Sequence, residues 1–135
     1  SFGAPGPAGE DDAAAAQRAL DCLLAIDRAM GAFNAERCAA GAPPLRLALG
    51  LHVGPVVTGD VGDANCLEFA VLGDTVNLAS RLEGLCRPLA ARAVISREAA
   101  LAAPDRPALG HFARVPGATP IRGRDAPLEL LRWPW

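Results

Sequence analysis

Residues 69–83 read Phe69-Ala70-Val71-Leu72-Gly73-Asp74-Thr75-Val76-Asn77-Leu78-Ala79-Ser80-Arg81-Leu82-Glu83. The stretch opens as a strand: Leu67, Phe69 and Val71 alternate with Glu68, Ala70 and Leu72. Gly73 breaks it, and Asp74 is the expected N-cap of a helix over residues 75–85. Asn77 and Arg81, four residues apart, then share one helix face. Leu78, Leu82 and Leu85 form the adjacent stripe, which should face the core. An amide and a guanidinium thus stand at the edge of a buried stripe. Together they can hold a ribose oxygen and a phosphate, and a guanidinium suits charge developing on phosphorus. Spacing alone is a weak signal, because an Asn and an Arg at this separation occur on many surface helices.

Upstream, residues 45–57 read as a strand. Leu47, Leu49, Leu51 and Val53 alternate with Ala48, Gly50, His52 and Gly54, and the small face lets another backbone approach. His52 reads as a hydrogen-bonded structural histidine, since no carboxylate or nucleophile stands beside it in sequence. Residues 58–66 hold Gly59, Asp60, Gly62, Asp63 and Asn65 and read as a hairpin loop. Their acidic run lacks the EF-hand spacing. Two strands about such a loop predict an antiparallel hairpin. Before it, residues 10–40 predict a long helix, with Glu10, Asp11 and Asp12 at its start and Ala13, Ala16, Leu20, Leu23, Leu24, Met30 and Phe33 at helical spacing. Gly41, Pro43 and Pro44 stop it, and residues 1–9 read as a connector. Downstream, a short strand is expected near 93–95, a short helix near 97–102, and strands near 109–115 and 128–133.

The 135 residues fit one domain, and 51% apolar content makes it globular. A net charge of -2 gives no reason to expect nucleic acid or an anionic membrane as partner. All 13 basic residues are arginine, which excludes a P-loop, whose phosphate grip needs lysine. Cys22, Cys38, Cys66 and Cys86 form no C-x-x-C pair or zinc-like set and read as reduced thiols. No signal peptide and no bilayer-length apolar run is evident.

Residues 50–62, Gly50-Leu51-His52-Val53-Gly54-Pro55-Val56-Val57-Thr58-Gly59-Asp60-Val61-Gly62, resemble a glycine-patterned hairpin of class III adenylyl and guanylyl cyclases. Residues 69–83 resemble that family's most recognisable segment. More loosely, Phe2-Gly3-Ala4-Pro5 resembles its strand end before the long helix. Ile121-Arg122-Gly123-Arg124 and Pro127-Leu128-Glu129-Leu130 resemble its closing hairpin.

The resemblance implies an α+β fold, a truncated class III cyclase domain over residues 1–135 that is ferredoxin-like, with a mainly antiparallel sheet packed with helices. It implies conversion of a nucleoside triphosphate to a 3′,5′-cyclic monophosphate and pyrophosphate, by dimers with interfacial sites. Asn77 would orient the ribose and Arg81 would stabilise the phosphoryl charge. Ala70 occupies the purine-reading position, and Arg122 best matches the triphosphate-binding basic residue, with Arg124 close by. ATP is placed ahead of GTP, although the Ala70 methyl cannot hydrogen-bond a base edge. Mg²⁺ or Mn²⁺ would act in the full-length parent, on two upstream aspartates that no residue here matches; Asp11 and Asp12 lie in the helix opening. The fragment alone is therefore expected to be inactive, cytoplasmic, without membrane contact and self-associating, with any membrane anchor of the parent left open. An alternative reading, motivated by Ala70, is a degenerate cyclase homology domain serving dimerisation or nucleotide binding.

Overall fold

The computed structural model describes residues 12–63, 66–103, 107–122 and 124–135, apart from the side chains of residues 61, 63 and 66–68. The elements run α1 (Asp12–Ala39), β1 (Leu49–Leu51), β2 (Val57–Asp63), β3 (Cys66–Leu72), α2 (Asp74–Leu85), β4 (Ala91–Ser96) and α3 (Arg97–Ala102). A 3-10 turn (Pro107–His111), β5 (Ala113–Arg114) and β6 (Leu130–Pro134) complete the chain. Four strands form one sheet in the order β1-β4-β6-β5, while β2 and β3 form a separate hairpin. β1 runs parallel to β4; the β4–β6, β5–β6 and β2–β3 pairs are antiparallel.

The core forms where α2 crosses the sheet. Leu78 and Leu82 are fully buried and pack with Cys86, Ala91, Val94, Ile121, Leu128 and Leu130. A second cluster joins Leu23 of α1 to Ala93 and Ile95 of β4 and Ala100 of α3. Gly50 sets the approach of α2 to β1. A Cβ there would strike the Ala79 carbonyl oxygen and come within 2.6 Å of the Glu83 amide nitrogen. The small face of the strand therefore accommodates the backbone of the helix that carries Asn77 and Arg81.

Several elements differ from expectation. The strand over 45–57 is interrupted: β1 ends at Leu51 and β2 starts at Val57, with Pro55, which lacks an amide donor, in between. Residues 58–63 belong to β2 rather than to a loop, because Val57–Asp63 pairs residue by residue with Leu72–Cys66. Cross-strand hydrogen bonding overrides the turn propensity of Gly59, Asp60 and Gly62. Gly73, not Asp74, is the N-cap of α2; its φ of 140° lies in a region that favours glycine, and no side chain caps the helix. The segment 109–115 is mostly the 3-10 turn, with only Ala113 and Arg114 in a strand. The closing strand, expected at 128–133, is β6 at Leu130–Pro134, preceded by an isolated Thr119–Leu128 bridge. In α1, Ala15, Ala16, Ala19, Leu20 and Leu23 are buried, whereas Phe33 is 45% exposed. The proposed strand end at Phe2 and the acidic helix start at Glu10 and Asp11 lie outside the described residues.

Candidate active half-site

α2 buries Leu78 and Leu82 and turns its adjacent edge outward. Asn77 is exposed there, and Arg81 lies half-buried one turn further along. The Nη1 of Arg81 is buried without a hydrogen-bond partner among the described residues. A desolvated guanidinium nitrogen without an acceptor costs free energy, and an anionic oxygen placed against it would recover that cost. Ala70, half-buried on β3, pairs with Gly59 of β2 just before the turn into α2.

The first turn of α2 is anchored on two sides. The Thr75 hydroxyl donates to the Pro55 carbonyl at 2.6 Å. Gly54 lies against the same threonine, since a Cβ there would come within 2.7 Å of its Oγ1. On the other side, Arg124 Nη1 donates to Asp74 Oδ2 at 2.9 Å. Arg122 is exposed and makes no ion pair among the described residues. The Arg124–Asp74 pair spans 50 positions, so no local sequence signal could have disclosed it.

His52, half-buried at the end of β1, has the structural partner expected of it. Its Nδ1 lies 2.8 Å from Ser96 Oγ. Ser96 is fully buried and caps α3 by accepting from the Ala99 amide. Burial chiefly pushes the His52 pKa below its ordinary value, and Arg124 adds to the effect; Glu98 and Asp74 oppose it. The folded protein therefore prefers neutral His52, while the unfolded chain binds the proton more readily. That stabilisation is complete above the unfolded histidine pKa, about 6.5, and is lost as pH falls through the lower folded value. The urea midpoint should accordingly fall between about pH 7 and pH 5.5. His52→Gln should flatten this slope, and an identical slope in the variant would contradict the assignment. Cys86, whose thiol lies 3.4 Å from the Leu49 carbonyl, is likewise structural, with its pKa raised chiefly by burial.

A cleft of about 270 Å³ beside Arg97, Arg114 and Glu129, and a second between α1 and Trp135, have neither Asn77 nor Arg81 on their walls. Among the described residues, no group of three or more His, Cys, Asp or Glu could hold a metal ion. Of the two carboxylates on the same helix, Asp74 and Glu83, Asp74 is engaged by Arg124. The described side chains thus offer one desolvated guanidinium donor, on Arg81, and no group of three or more metal-ligating side chains. Among the described residues, no helix is long and apolar enough to cross a membrane.

The profile described as the adenylate and guanylate cyclase catalytic domain matches residues 2–125. Adenylate cyclase 1 of Rhizobium meliloti (strain 1021) is 44% identical over 70 residues, which are 52% of this chain and 10% of that protein. The guanylyl cyclase Cya2 structure superposes with a TM-score of 0.72 at 25% identity, over 95% of this chain and 61% of that one. The adenylyl cyclase CyaB structure from P. aeruginosa gives 0.76 at 23% identity, over 97% and 63%. The chain belongs to the class III nucleotidyl cyclase catalytic domain family, and its α+β fold is that of the family. It spans less than two thirds of each of these proteins.

Proposed function

We propose that this chain carries the ribose- and phosphate-binding half of an adenylate cyclase site, which forms 3′,5′-cyclic AMP and pyrophosphate from ATP. The observation that carries the proposal is the buried Nη1 of Arg81, which has no hydrogen-bond partner among the described residues, one turn from exposed Asn77. In the reaction, the ribose 3′-hydroxyl gives its proton to solvent, its oxygen forms a bond to the α-phosphorus, and the bond from that phosphorus to the pyrophosphate oxygen breaks. Negative charge grows on the phosphoryl oxygens as this happens. Arg81 is placed to donate to one of them, and Asn77 to hold the ribose so that the attacking oxygen stays in line. Arg122 serves the triphosphate end. Ala70 stands at the purine edge, where shape rather than a hydrogen bond acts on the base. The divalent metals, Mg²⁺ or Mn²⁺, supply charge neutralisation at the phosphates, and no position of this chain matches the aspartates that would hold them.

The other half of the site belongs to a second subunit. The hairpin exposes Val57 and Leu72, which face each other across the strands, together with Phe69; Val76, next to Asn77, is exposed as well. Such an apolar patch around a polar half-site suits a subunit interface. The ATP preference draws on the Rhizobium meliloti adenylate cyclase, which matches over half of this chain.

The test is to incubate the complete protein that carries this chain with ATP or GTP and Mn²⁺ and to separate the products by chromatography. Cyclic AMP is the expected product. Cyclic GMP alone would overturn the purine assignment, and no cyclic nucleotide from either substrate would favour the degenerate module.

A further inference from the structure

We propose that Asp74 and Arg124 are positioning residues for the phosphate end of the substrate site: their ion pair clamps the backbone carrying Arg122 onto the first turn of α2. The proposal rests on the cyclase reading above. Arg122 lies between two anchors. On one side, Ile121 is buried in the same core cluster as Leu78 and Leu82 of α2. On the other, Arg124 reaches Asp74 at 2.9 Å, and its amide also donates to the Ile121 carbonyl at 3.0 Å. Asp74 stands three residues before Asn77, so the same contact ties the ribose-facing residue to the segment bearing the phosphate-facing one.

The Asp74 side chain is available for this because it does not cap its own helix. Gly73 occupies the N-cap, and no side chain bonds there. The helix N-terminus also favours a carboxylate at this position. Arg124 is 32% exposed and Asp74 61% exposed, so the clamp is partly screened and its effect modest. A modest clamp suffices, because a phosphate contact on an exposed arginine is weakened by any added freedom of its backbone.

The test compares Asp74→Asn, Arg124→Gln and the charge reversal Asp74→Arg/Arg124→Asp in the complete protein. KM for ATP should rise about three- to fivefold in each single variant, the range expected of a partly exposed ion pair, with kcat within about twofold. Melting temperatures should stay within a few degrees (about 3 °C) of the parent. The reversal should lower KM below that of either single variant, because the pair is restored although Arg124 is gone, but not fully to the parent value, because the helix N-terminus disfavours Arg at position 74. Calorimetric affinity for a nonhydrolysable ATP analogue should follow the same order and supplies the comparison without turnover. An unchanged KM and affinity in the single variants would overturn the clamp. So would a KM increase that the reversal does not lower, which would make Arg124 a direct phosphate ligand. The cyclase reading fails by a different result: full activity in Asn77→Ala and Arg81→Ala, with the analogue affinities still judging the clamp. Absence of analogue binding to the parent protein would overturn both.

Discussion

Arg81→Ala is expected to lower kcat for cyclic nucleotide formation about 100-fold or more, the usual effect of removing a group that stabilises transition-state charge. KM should change far less, because the contact strengthens as charge develops rather than on binding. The same substitution should not destabilise the fold. Arg81 Nη1 is buried without a partner among the described residues, so its removal relieves an unsatisfied donor. The urea midpoint of the variant should equal or exceed that of the parent. This split, with activity lost and stability kept, marks a residue held for chemistry at some cost to folding. A destabilised variant with normal kcat would show that Arg81 serves the core instead.

Gly50→Ala should be the most damaging single methyl group in the described structure. The added carbon would strike the Ala79 carbonyl oxygen and sit 2.6 Å from the Glu83 amide nitrogen. Both obstacles are helix backbone and cannot rotate away. Either α2 lifts off β1, opening the packing of Leu78 and Leu82, or the strand bends. The expected loss is about 3 kcal/mol, the upper part of the usual range for overpacking. The melting temperature should fall by roughly 10 °C or more for a domain of this size. Gly59→Ala is the matched control: no atom lies within 4 Å of its would-be Cβ, and its cost should be within about 0.5 kcal/mol. Thermal unfolding of the two variants checks the contrast, and equal melting temperatures would contradict it.

The segment from Phe69 to Glu83 was legible because two periodicities meet in it. The strand alternation ends at Gly73, and the leucine stripe begins at Leu78; the structure buries Leu78 and Leu82 fully. The small face around Gly50 was legible for the same reason, since its purpose is a close backbone approach that only small residues permit. The glycine-rich strand β2 was misread. Its Gly59, Asp60 and Gly62 have turn propensity, and only their pairing with Ala70, Phe69 and Leu67 of β3 makes them a strand. Pairing is a tertiary fact that local composition does not encode. The helix cap was misread by one residue, because Asp74 has the chemistry of a cap but Gly73 has the backbone conformation for one.

At the half-site, the sequence placed Asn77 and Arg81 on one face, but nothing in it indicated that Arg81 Nη1 is desolvated and unpaired among the described residues. Desolvation depends on tertiary packing, which the helix's own sequence does not encode. The partnership of Arg124 with Asp74 and of His52 with Ser96 was equally hidden, since the members of each pair stand 50 and 44 positions apart. Arg122 and Arg124 look interchangeable in sequence. The fold separates them, leaving one exposed and tying the other to α2.

The central claim is that the Asn77–Arg81 face is half of a site completed by a second subunit. Subunit complementation tests it most directly. Arg81→Ala subunits of the complete protein are mixed with subunits in which the two upstream aspartates expected to hold the metals are replaced by alanine, and cyclic AMP formation is measured. Each parent is inactive, but a mixed dimer holds one intact site, so random pairing should restore about a quarter of the original activity in a two-fold dimer. A mixture no more active than its separate components, despite demonstrated exchange of subunits, would contradict the account.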